Sequence, residues 1–85
     1  MADIEWTEGA LSDLERLDKP IARRILRRLA WFSRNLQSVV PEPLAGQLKG
    51  TFKLRAGDWR VVYILEGNTI IIRFIGHRSN IYRIM

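Results

Sequence analysis

Thr51-Phe52-Lys53-Leu54-Arg55-Ala56-Gly57-Asp58-Trp59-Arg60-Val61-Val62-Tyr63-Ile64-Leu65-Glu66-Gly67-Asn68-Thr69-Ile70-Ile71-Ile72-Arg73-Phe74-Ile75 is the stretch that decides the fold. Phe52 and Leu54 alternate with Thr51, Lys53 and Arg55, the period-2 pattern of a strand with one buried face. Ala56-Gly57-Asp58 turns the chain into a second strand, Trp59 to Leu65. Glu66-Gly67-Asn68 turns it again into a third, Thr69 to Ile75. Two successive hairpins make an antiparallel meander.

Upstream, the period becomes helical. Thr7 is placed to cap a helix whose apolar positions are Leu11, Leu14 and Leu17, with Asp13 and Glu15 outward. Asp18-Lys19-Pro20 restarts the chain, because proline suits the first turn of a new helix. Ile21, Ile25, Leu29, Phe32 and Leu36 then form one stripe at steps of four and three, with Arg23, Arg24, Arg27, Arg28 and Arg34 around the other faces. The two helices should form an antiparallel hairpin. Ile4 and Trp6 alternate with Asp3 and Glu5 as a short first strand. Val39 to Gln47, with Pro41, Pro43 and Gly46, is expected to be a loop, and Ser79 to Met85 a short tail. The expected class is α+β, an N-terminal strand and a helical hairpin packed on an antiparallel sheet, with residues 1–85 as one domain.

Composition narrows the chemistry. With no cysteine and only one histidine, His77, the chain has no disulfide framework, no thiolate metal site and no multi-histidine site, so no cofactor or metal is expected. The N-terminal residues carry acid where a secretory signal carries base, and no apolar run is long enough to span a bilayer. The expectation is a cytoplasmic protein with no membrane partner. The net charge of +5 is uneven: residues 1–20 balance at −4, residues 21–40 at +5 with five arginines and no acid, and residues 41–85 at +4. Eleven of the fourteen cations are arginine, whose planar fork suits phosphate, so the bias points to a polyanionic partner. The Arg23/Arg24/Arg27/Arg28 group either meets such a polyanion or is the solvated back of a helix.

Strand parity assigns the faces. Phe52, Leu54, Val61, Tyr63, Ile70, Ile72 and Phe74 are expected to face the helices, with Lys53, Arg55, Arg60 and Arg73 on an open, opposite face. Trp6, Trp31 and Trp59 are expected in the core. Clustered cations without interleaved acid repel one another, which favours a surface that meets a phosphate backbone.

The segments Leu48-Lys49-Gly50-Thr51-Phe52-Lys53-Leu54-Arg55-Ala56-Gly57-Asp58-Trp59-Arg60-Val61-Val62-Tyr63 and Gly76-His77-Arg78-Ser79-Asn80-Ile81-Tyr82 resemble the RelE/ParE toxin superfamily, and the likeness extends over essentially the whole chain. The resemblance to its RelE-like branch implies a ribosome-dependent endoribonuclease that cuts messenger RNA in the ribosomal A site. It also implies neutralisation by a RelB-like antitoxin in a hetero-oligomer. Carried over by position, the catalytic residues fall on Lys53, Arg60, Arg78 and Tyr82, and Arg55 matches a phosphate-contacting arginine. Arg73 and His77 are further RNA-binding candidates. Thr51 stands where some members carry a second lysine, and Arg78 and Tyr82 are closer together than in some members.

RNA carries its own nucleophile, the 2′-hydroxyl. A ribonuclease therefore needs a base near that hydroxyl, positive charge at the phosphorane and an acid for the 5′-oxygen. Arg60 suits charge stabilisation through its bidentate grip and is a poor proton shuttle. Lys53, a titratable cation, is the better base candidate, and Tyr82 is placed to stack on a base beside the cut. His77 is either a general acid or a structural histidine. Two other readings use the same fold: a ParE-like poison of DNA gyrase, and a non-catalytic RNA-binding module. Retained function in Lys53→Ala would favour the binding module.

Overall fold

The computed structural model describes residues 1–84, except the side chains of Tyr82 and Ile84; these and Met85 lie outside the described residues. The elements run β1 (Asp3–Trp6), α1 (Glu8–Glu15), α2 (Lys19–Arg34), β2 (Glu42–Pro43), β3 (Phe52–Ala56), β4 (Trp59–Glu66), β5 (Thr69–His77) and α3 (Arg78–Ile84). The class is α+β, as expected. The sheet order is β1-β5-β4-β3-β2. The meander is antiparallel throughout, but β1 lies parallel to β5, with Ile4 opposite Ile70 and Trp6 opposite Ile72, so the sheet is mixed. The parallel pairing follows from the path: β1 leads directly into the hairpin, which crosses the sheet before the meander begins.

Local signals account for the helices. The Thr7 side chain accepts from Ala10 N at 3.2 Å, satisfying a donor that the first turn leaves free, and donates to Ile72 O at 2.9 Å. Pro20 lies in the first turn of α2. Ile25, Leu29 and Phe32 of the expected stripe are fully buried, against Leu54, Val61, Tyr63, Ile70 and Ile72 of the sheet. α2 ends at Arg34, and Leu36 falls in a separate 3₁₀ turn, Leu36–Ser38. Ser33, on the buried side, donates to Ala2 O at 2.6 Å and ties α2 to the start of the chain.

Four expectations are corrected. The segment Val39 to Gln47 contains β2, whose Glu42 lies opposite Lys53 and Pro43 opposite Phe52; a two-residue edge strand tolerates proline. The tail is not irregular, since Arg78–Ile84 is helical. Phe74 does not face the hairpin. The β4–β5 ladder pairs Val62 with Phe74 but Tyr63 with Ile72, which leaves Arg73 as a bulge and inverts parity beyond it. Ile75 therefore takes the core position and Phe74 the other face. Finally, that other face is not open along its length. Leu44, Val62 and Ile81 form a second buried cluster there, with Leu48 and Phe74 packed against it. Gly76 permits the packing of α3, because a Cβ there would lie 2.9 Å from Ile81 Cδ1.

Candidate functional site

The second cluster seats α3 beside the cationic residues of β3 and β4. Lys53 and Arg55 alternate onto one face of β3; Lys53 lies opposite Val62, and Arg55 opposite Arg60. Arg60 in turn lies opposite Gly76, the residue on which Ile81 of α3 rests. Arg78 opens α3, its N–H donating to Asp58 O at 2.8 Å and its Nε 3.7 Å from Asp58 Oδ1. Lys53, Arg55, Arg60 and the start of α3 thus share one side and one end of the sheet.

These cations differ in environment. Arg78 and Arg55 are well exposed, Arg55 pairing with Glu42 Oε2 at 3.2 Å. Lys53 is half-buried. Arg60 is only 7% exposed, which overturns the expectation that it faces away from packed structure. Its Nη1 donates to Gly57 O at 2.9 Å and Trp59 O at 3.0 Å, and its Nε is buried with no partner among the described residues. Arg60 shares its face of β4 with Val62 of the second cluster and lies opposite Gly76, against which Ile81 of α3 packs.

His77 and Arg73 lie apart from this group. His77 is opposite Trp59, their rings edge-to-face at 5.4 Å, on the hairpin side of the sheet. Its Nδ1 accepts from Ser79 N at 3.3 Å and lies 2.9 Å from Ser79 Oγ, so the imidazole caps the start of α3. Arg73 sits in the bulge, its carbonyl accepting from Thr7 Oγ1 at 3.0 Å beside the N-terminus of α1. Tyr82 lies within α3, but its side chain is outside the described residues. A recess of about 240 Å³, lined by Ala2, Ser33, Asn35 and Asn68 among others, includes none of the candidate cations. Among the described residues, no three His, Cys, Asp or Glu side chains gather into a metal-binding group, and no helix is long and apolar enough to cross a membrane.

The family described as "ParE toxin of type II toxin-antitoxin system, parDE" matches residues 4–82 of the chain. The chain belongs to the RelE/ParE toxin superfamily. It is 34% identical to Toxin RelG of Mycobacterium tuberculosis over 94% of each chain. The toxin also resembles a chain in the crystal structure of the toxin-antitoxin complex RelBE2 from Mycobacterium tuberculosis, with 29% identity and a TM-score of 0.77, covering 91% of this chain and 98% of that one. A chain of the YoeB-YefM complex from Staphylococcus aureus, at 24% identity and a TM-score of 0.70, shares the fold over 91% of this toxin and 97% of its own length.

Sequence reading missed one contributor to the site end of this toxin, Asp58, and left the role of another, Arg28, open. Asp58, read only as a turn residue, anchors Arg78 through its carbonyl and carboxylate. Arg28 of α2 donates Nε to Arg55 O at 3.0 Å and stacks over Trp31 at 4.5 Å. Trp31, expected in the core, is 39% exposed. Its position off the Ile25/Leu29/Phe32 stripe was the available signal.

Proposed function

We propose that this type II toxin is a cytoplasmic endoribonuclease, one RelE-like domain over residues 1–85, that cleaves messenger RNA in the ribosomal A site and is held in check by a RelB-like antitoxin. The observation that supports this reading is the shared placement of Lys53, Arg55, Arg60 and the start of α3 on one side of the sheet. In this reading Lys53 takes the proton of the 2′-hydroxyl, which attacks the adjacent phosphorus. The P–O5′ bond breaks and the leaving 5′-oxygen takes a proton from water, giving a 2′,3′-cyclic phosphate and a 5′-hydroxyl fragment. Arg78, exposed and loosely paired at 3.7 Å, exchanges Asp58 for a phosphate oxygen and stabilises the phosphorane. Arg60, tied to two carbonyls, supplies fixed positive charge from beneath. Tyr82 stacks on a base beside the cut, and Arg55 holds a flanking phosphate. His77 acts by capping α3 and so fixing Arg78; Arg73 stands outside the reaction and meets RNA only peripherally.

The ribosome supplies what so small a chain lacks. Orientation of reacting groups accounts for roughly 7–11 kcal/mol of barrier in favourable cases, and the A site holds the message in a fixed path. One message, free and programmed on ribosomes, is to be compared at equal toxin concentration with its cut ends mapped. Cuts within codons on ribosomes alone are expected. Equal cutting of free RNA would overturn ribosome dependence, and no cutting of either, with inhibition of DNA gyrase, would assign the chain to the gyrase-poisoning branch. RNA binding without cutting would identify a non-catalytic module.

A further inference from the structure

We infer that Arg24 is a further phosphate-binding residue, and that the cationic surface turns the corner of the β3–β4 hairpin onto α2, where it holds the backbone of single-stranded RNA. The inference rests on the ribonuclease reading and extends the RNA path to a residue outside the sheet.

Two guanidinium groups meet at Gly57. Arg60 Nη1 donates to its carbonyl at 2.9 Å. Arg24 Nη1 lies 2.6 Å from where a Cβ on Gly57 would stand, and Arg24 Cδ 3.5 Å from it. Glycine is required here by its φ of +63°, while the Arg24 guanidinium, the end of a flexible side chain, would swing clear of a Cβ at little cost. One turn along α2, Arg28 donates to Arg55 O, and from α3 the Arg78 N–H donates to Asp58 O. Arginines from three elements thus grip residues 55–59.

The nearby carboxylates are committed elsewhere, Asp58 to Arg78 and Glu42 to Arg55. Arg24 is exposed and makes no hydrogen bond or ion pair among the described residues. Crowded like charges are unfavourable, and a bound anion relieves them. RNA fits better than an acidic protein segment because the cations gathered here are mostly arginines, whose planar fork matches phosphate, and the partly exposed Trp31 ring beside Arg28 offers a surface for a base.

The test titrates the whole chain with a short 2′-O-methyl oligoribonucleotide, which has no free 2′-hydroxyl to react, by fluorescence anisotropy over a salt series. Arg24→Ala should weaken binding about tenfold, the loss of one charged hydrogen bond. It should also lower the slope of log K against log salt by about 0.7. Arg24→Lys should keep the slope and lose part of the affinity. Arg34→Ala is the charge-matched control, roughly 15 Å further along the same helix, beyond a Debye length of about 8 Å at physiological salt. It should leave affinity and slope near wild type. Coincidence of Arg24→Ala with Arg34→Ala would overturn the assignment, as would an oligoglutamate of equal charge competing as strongly as the RNA. Cleavage of programmed ribosomes by the same proteins separates the two readings. Wild type that cuts, with Arg24→Ala binding like wild type, removes Arg24 alone; wild type that cuts nothing removes the ribonuclease reading and this inference with it.

Discussion

Replacing Arg60 by alanine should damage the fold as well as the chemistry, a consequence of its burial. Its Nη1 satisfies two carbonyls, Gly57 O and Trp59 O, within the turn that carries Asp58. A hydrogen bond from a charged donor contributes roughly 1.5–3 kcal/mol; one nitrogen shared by two acceptors is best counted once. The buried stem adds about 0.8 kcal/mol per methylene, or roughly 2 kcal/mol. Against this, the buried Nε, without a partner among the described residues, carries a penalty of about 1–3 kcal/mol that alanine relieves. The net is a loss of about 2 kcal/mol, which in a domain this size lowers the melting temperature by roughly 8–16 °C. Arg60→Met keeps most of the stem and removes the unmet donor, so it should fall by less than half as much. Calorimetry or thermal circular dichroism on the three proteins measures this, with cleavage of programmed ribosomes assayed well below the lowest transition. Both variants should cut at least 100-fold more slowly, as expected for a lost transition-state charge. An Arg60→Ala protein that melts with wild type refutes the structural argument, and one that is folded and cuts at the wild-type rate refutes the site.

Arg78→Ala should separate the effects: the exposed 3.7 Å pair with Asp58 is worth under about 1 kcal/mol, so stability should hold while cleavage falls about 100-fold. Gly76→Ala, with its Cβ 2.9 Å from Ile81 Cδ1, should displace α3, cost about 1–3 kcal/mol in denaturant unfolding and slow cleavage by misplacing Arg78. Tyr63 has its pKa raised to about 12, by burial first and by Glu42 second. Because the folded value exceeds the unfolded one of 10.0, its contribution is complete below pH 10.0 and is lost as pH rises toward 12, by roughly 2–3 kcal/mol. Across that window the stability of wild type relative to Tyr63→Phe should fall by that amount, read from unfolding curves of the two proteins. In cells, expression of the chain alone should arrest growth and co-expression of its antitoxin should restore it; normal growth with soluble, folded protein would contradict the toxin reading.

The periodic patterns were legible because they depend only on which residues need burial. The step of four and three from Ile25 to Phe32 and the alternation through Leu54, Val61 and Tyr63 each admit one face, and the structure buries those faces. Thr7 and Pro20 marked helix starts because capping is local. The placement of Lys53 and Arg55 on one side followed from parity within a single short strand.

What the sequence could not decide was anything that depends on distant segments meeting. Nothing near Arg73 announces a bulge, which arises only when β5 pairs with β4, and that single extra residue moves Phe74 across the sheet and Ile75 into the core. Arg60, only 7% exposed, likewise shares its face with Val62, over which Leu44 and Ile81 close from before and after the meander. Strand parity tells which side a residue takes, whereas tertiary packing alone decides whether that side is open. The meeting of Arg24 and Arg60 at one glycine, from a helix and a strand far apart in the chain, belongs to that second kind of information.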